Sequence, residues 1–297
     1  MHQVSVTDLT CENGATTFCS VDRMNSSRPG GQGNRQGGKK KEMSKTAFAI
    51  AAHPDDVEFA MAGTLLLLGQ SGYELHYMTV ANGSCGSATM SRQVTIDTRS
   101  REAKEASAVL GAVYHEPLVD DLMIYYTPPL VAKLCAIIRQ VRPTILLVPS
   151  PVDYMEDHTN TSRLAVTAAF CRNMPNFPTD PPAPVTETEV AVYHAAPVWL
   201  RDQVGNRVRP QFCVDVSSVL QEKRRALACH RSQKEWLDVS QGQDSYLKMM
   251  EDLCAEVGRL VDRPYAESWF RHLPPGFCGE SFDPLAESLG KLVTRLP

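Results

Sequence analysis

Two short stretches of the chain concentrate the residue types that could do chemistry. One is Ala52-His53-Pro54-Asp55-Asp56-Val57-Glu58, and the other is Asp153-Tyr154-Met155-Glu156-Asp157-His158. Each joins an imidazole to at least two carboxylates. Two imidazoles and one carboxylate form a common divalent-metal set that leaves a coordination position open for water. A further carboxylate can then take that water's proton. The plain structural account is different: satisfied histidines, with aspartates and glutamates capping the next helix. Position along the chain decides between them.

Each stretch follows an apolar run that reads as a buried strand, over 46–52 and 144–149. Each precedes a helical pattern, over 57–71 and 159–172. Further strands are expected over 74–81, 112–116, 190–194 and 212–216. Helices are expected over 95–110, 128–141, 218–230 and 245–261. Gly111 stands where a helix C-terminus favours glycine, and Pro128 where a missing N–H costs least. Alternation of this kind predicts βαβ units, hence an α/β, Rossmann-like, mostly parallel sheet flanked by helices. Parallel strands place all their C-terminal ends on one edge, where open α/β sheets bind ligands. The two clusters can therefore face each other across one crevice.

The rest of the composition narrows the function class. The chain has 297 residues, of which 43% are hydrophobic and 22% charged, with a net charge of −4. A nucleic-acid partner favours a strongly basic face, and the basic run here is only Lys39-Lys40-Lys41. No stretch of about 20 apolar residues offers a membrane span. Nine cysteines without a Cys-x-x-Cys pair read as free thiols, which places the protein in a reducing cytoplasm. Residues 1–44, rich in Gly, Ser, Asn and Lys, read as a disordered extension. Residues 45–297 then form one domain with a C-terminal helical cap. The loop Asn82-Gly83-Ser84-Cys85-Gly86 lacks the glycine spacing of a dinucleotide site, so a nicotinamide cofactor is not expected. His76 and His115 have no motif around them and read as structural.

Ala-His-Pro-Asp-Asp-x-Glu followed by a later Asp-His pair resembles the LmbE-like (PIG-L) zinc deacetylases. Asn82-Gly83-x-x-Gly86, Arg99-x-x-Glu102 with Ala106, Leu110 and Gly111, and His230-x-Ser232-Gln233 are similar to further motifs of that family. The similarity covers roughly residues 45–270. It implies that His53, Asp56 and His158 hold zinc, a set that iron or cobalt would also suit. Asp55 would be the general base, and Asp157 would orient a neighbouring histidine or other group. Arg99 would grip substrate oxygens, and Tyr154 would line the substrate site. The implied activity is removal of the N-acetyl group from an N-acetylglucosamine-type sugar or conjugate. Relatives are often oligomeric, so a homo-oligomer is expected. Two other readings stand beside this one: an amidase for a different amide such as a thiol-sugar conjugate, and a carbohydrate-binding protein with a decayed site. Met155 stands where many relatives carry a histidine, which leaves the general acid open among Tyr154, His194 and His230.

Overall fold

The computed structural model describes residues 45–234 and 246–297. The extension predicted for residues 1–44 lies outside the described residues. Eight strands form one sheet: β1 (Thr46–Ala51), β2 (Glu74–Thr79), β3 (Ala112–His115), β4 (Ile145–Val148), β5 (Ala191–Ala195), β6 (Phe212–Asp215), β7 (Ala266–Arg271) and β8 (Val293–Arg295). Their order across the sheet is β3-β2-β1-β4-β5-β7-β6-β8. The first five are parallel, while β7 runs antiparallel to β5 and β6, and β8 antiparallel to β6.

Helices α1 (Asp56–Ala60), α2 (Ala62–Gln70), α3 (Arg92–Leu110), α4 (Pro128–Val141), α5 (Glu156–Phe170), α6 (Leu220–Leu227), α7 (Tyr246–Gly258) and α8 (Pro284–Leu289) surround the sheet. Strand side chains alternate between two apolar layers, as the two-residue period of a strand requires. Ala47, Ala49 and Ala51 of β1 join Leu65, Leu68, Ala103 and Ala226 on one face. Phe48 and Ile50 join Leu134, Ile138, Leu164 and Ala168 on the other. With both faces covered, β1 and β4 are buried along their whole length, which explains their unbroken apolar runs.

Two features differ from the sequence expectation. The helix predicted over 57–71 is two helices, broken at Met61 with φ −134°. The C-terminal part is not simply a helical cap, because β7 and β8 extend the sheet there.

β1 and β4 are neighbours at the centre of the sheet. From β1 the chain proceeds outward to β2 and β3, then returns to the other side of β1 as β4. That reversal is a topological switch point, and the connections leaving the two strands part there into a crevice. His53 to Asp56 leave β1 at this place, and Ser150 to His158 leave β4.

Candidate metal centre and active site

The short link from β1 to α1 sets the first cluster. Asp55 occupies the N-cap position of α1 in the left-handed conformation, with φ 105° and no capping bond from its side chain. An N-cap aspartate ordinarily accepts from the first-turn N–H groups; here the carboxylate is free for other work. The backbone N–H of His53 donates to Asp56 Oδ2 at 2.7 Å, tying the two residues into one turn. The second cluster opens α5, so that His158 lies within its first turn rather than before it.

Folding brings His53, Asp56 and His158 together. One nitrogen from each ring and one oxygen of Asp56 lie within 4.8 Å of one another, the single such group among the described residues. His53 Nδ1 is 3.5 Å and His158 Nε2 3.3 Å from Asp56 Oδ2. The opposite nitrogens are taken: His53 Nε2 donates to Asp157 Oδ2 at 2.9 Å, and His158 Nδ1 donates to Asp153 Oδ1 at 3.0 Å. Carboxylates on the far side of each ring fix tautomer and orientation and make the inner nitrogen a better ligand. Asp157 itself is steadied by the Leu122 N–H at 2.7 Å.

The electrostatics follow from these contacts. Burial on its own would lower His53, but bonds to Asp157 and Asp56 outweigh it and raise its pKa to about 9. Burial is likewise overcome at His158, raised well above the usual imidazole range by Asp56 and Asp153. Burial would raise Asp56, yet the charges of His158 and His53 beside it hold it well below the usual carboxylate range. Asp55 is different: burial raises it to about 6, with Arg99 pulling the other way. The inner nitrogen of His158 is buried and has no hydrogen-bond partner. A buried imidazole nitrogen left unpaired beside a carboxylate is what a bound cation would satisfy. The donor set therefore fits a divalent metal such as zinc.

The other predicted residues divide. Tyr154 lies at the rim, 64% exposed, with its ring edge-on to His158 at 6.0 Å. Arg99, expected against substrate, is instead 3% exposed. It donates to the Pro54 carbonyl at 2.5 Å and lies 3.7 Å from Asp55 Oδ1. The Asn82–Gly86 loop covers it closely: a Cβ at Gly83, where φ is +79°, or at Gly86 would overlap its side chain. Arg99 thus supports the backbone and charge of the Pro54-Asp55 turn.

Two of the three acid candidates are buried. His230 is fully buried with Nε2 3.2 Å from Glu58 Oε1, and His194 Nε2 is bonded to His272 Nδ1 at 3.0 Å. Sequence reasoning missed Asp153 and Tyr246. The spacing Asp153-x-x-x-x-His158 could have pointed to the first. Nothing local marks Tyr246, whose hydroxyl donates to Asp55 Oδ2 at 2.6 Å.

A model of the PIG-L family, described as GlcNAc-PI de-N-acetylase, matches residues 48–169, the span that holds both clusters. The chain is 28% identical to diacetylchitobiose deacetylase of Thermococcus kodakarensis over 233 residues, 75% of this chain and 81% of that one. It is 24% identical to 4-oxalmesaconate hydratase of Pseudomonas putida over 201 residues, 64% of this chain and 74% of that one. Among solved structures, N,N'-diacetylchitobiose deacetylase from Pyrococcus horikoshii superposes with a TM-score of 0.65 at 21% identity, over 79% of this chain and 85% of that one. This last likeness speaks for the fold.

Proposed function

We propose that the protein is a metal-dependent hydrolase that removes the acetyl group from an N-acetylglucosamine-type amino sugar or conjugate, with zinc at His53, Asp56 and His158. The observation that carries this reading is the pair of carboxylates side by side at the end of β1. Asp56 faces both imidazoles, while Asp55 is buried, spends nothing on capping and is held apart from them. Similarity to a diacetylchitobiose deacetylase supports the substrate class.

When bound, the metal polarises the amide carbonyl and acidifies coordinated water. Asp157 and Asp153 hold the two imidazoles in ligating orientation. Asp55 accepts the proton of the attacking water, and its place in the crevice suits it to return that proton to the departing amine. Arg99 steadies the turn that carries Asp55. Tyr154, open to solvent beside His158, is placed to contact sugar. Free thiols at Cys135, Cys171, Cys213 and Cys254 are buried, which supports a reducing, cytoplasmic setting. No helix of the described residues is long and apolar enough to cross a membrane.

The relative named as a hydratase favours a second reading, addition of water to a carbon–carbon double bond by the same metal and base. One experiment separates them. The zinc-loaded protein is assayed for acetate release from a panel of N-acetylated sugars and their conjugates, and for hydration of 4-oxalmesaconate. Acetate release lost in Asp55→Asn supports the deacetylase; hydration without acetate release supports the alternative. A metal-free protein that binds sugar and transforms nothing would overturn both.

A further inference from the structure

The carboxylate of Asp55 is held from a distant part of the chain. Its Oδ2 accepts a 2.6 Å hydrogen bond from Tyr246, 191 residues further on. Tyr246 opens α7 and lies outside the region matched by the family model. Its ring is 1% exposed and packs edge-on against Phe59 at 5.1 Å. Phe59 in turn donates its N–H to the Asp55 carbonyl at 3.0 Å. One tyrosine thus touches both the side chain of Asp55 and the helical turn that follows it.

A hydroxyl-to-carboxylate bond of this length is among the stronger hydrogen bonds a protein makes. Without it the carboxylate has two attractive alternatives. It can turn toward the Arg99 guanidinium, now beyond hydrogen-bond distance at 3.7 Å. It can also turn toward the cluster of His53, Asp56 and His158, and so leave the position of a base. A bond to Oδ2 alone prevents both and leaves the lone pairs of Oδ1 open.

We propose that Tyr246 is a positioning residue for the base: its hydroxyl pins one oxygen of Asp55 so that the other stays turned to the attacking water. The inference rests on the reading of Asp55 as general base. It adds that the C-terminal part of the chain, through α7, completes a centre whose metal-facing residues all lie in the PIG-L region.

The test compares zinc-loaded wild type, Tyr246→Phe, Asp55→Asn and the double variant, with N,N'-diacetylchitobiose as the probe substrate. Phenylalanine keeps the ring contact with Phe59 and removes only the donor. Tyr246→Phe is expected to lower kcat about 10- to 100-fold, with KM within about twofold and zinc stoichiometry unchanged. In the Asp55→Asn background the same change is expected to have no further effect, because a residue that acts only through Asp55 has nothing left to position. An equal proportional loss in both backgrounds, or an unchanged kcat in the single variant, would overturn the proposal. Incorporation of 3-fluorotyrosine at 246 keeps the shape and sharpens the donor. It should move kcat by a smaller factor at fixed KM and thermal stability, and an unmoved kcat counts against the proposal. Crystal structures of wild type and Tyr246→Phe give a reading that needs no turnover. The Asp55 carboxylate is expected to swing toward Arg99 or the metal in the variant, and an unmoved carboxylate contradicts positioning. If wild type releases no acetate from any sugar, the functional reading fails on its own while the structures still decide the role of Tyr246.

Discussion

Two histidine pairs adjoin α5, the first through His158 within it and the second through the Ser162–His194 bond, and their rings are arranged almost alike. His53 and His158 have centroids 5.6 Å apart and tilted by 51°; His194 and His272 are 5.2 Å apart and tilted by 47°. The surroundings differ. Each ring of the first pair is backed by an aspartate, and a third aspartate sits between them. In the second pair, His194 Nδ1 meets the Pro149 carbonyl at 3.0 Å and the Ser162 hydroxyl at 3.1 Å, and its other nitrogen meets His272. Burial lowers His194 to about 4 and moves His272 in the same direction. The first pair is an environment for cations; the second is a neutral hydrogen-bonded chain. Ring count and spacing do not make a metal site. The carboxylates around the rings do.

The sharpest way to break this contrast is to remove the ligands. His53→Ala combined with His158→Ala should reduce bound metal to background, measured by elemental analysis. Deacetylation should then fall by about three to four orders of magnitude, the several kcal/mol that a catalytic metal contributes. Full metal occupancy in that variant would show that the first pair is not the site.

The next effect tests the carboxylates themselves. Asp153→Asn and Asp157→Asn should each weaken zinc about 10- to 100-fold in a chelator competition, while leaving the three ligands in place. An unchanged affinity would remove the distinction between the two pairs.

Acid should act on the second pair. The folded pKa of His194 lies below its unfolded value, so between pH 6.5 and about 4 the unfolded chain binds a proton that the folded one refuses. Stability is therefore lost as pH falls through that window, by on the order of 3 kcal/mol from this residue. His53 works in the opposite sense in the metal-free protein: its contribution is complete below pH 6.5 and fades as pH rises toward 9. Urea unfolding of metal-free protein at several pH values reads both slopes, and His194→Ala should flatten the acid one. The smallest expected effect is on metal binding by that same variant, with zinc affinity within about twofold of wild type.

The comparison also explains what was legible in the sequence. His53 and Asp56 could be read because a buried apolar run and a helix fix the turn between them. His158 could be read from the second strand, but not which of Asp153, Glu156 and Asp157 backs which ring, since that depends on where α5 begins. Arg99 reads as a substrate contact, and only the three-dimensional packing of the Gly83 and Gly86 loop shows it enclosed. β7 escaped because Glu267 interrupts its apolar pattern. That carboxylate is buried by pairing with Lys223 at 2.6 Å and with the N–H groups of Gly63 and Thr64, none of which is near in sequence. Tyr246 escaped for the same reason: its partner is 191 residues away. Local chemistry announces itself in a sequence, whereas long-range support does not.

The most direct test of the central claim is a zinc titration of metal-free protein, with acetate release from N,N'-diacetylchitobiose as the readout. Activity should be absent at the start, rise in proportion to added metal and break at one zinc per chain. Activity that is indifferent to zinc and to chelator, or a fully zinc-loaded protein that releases no acetate from this or any related amino sugar, would contradict it.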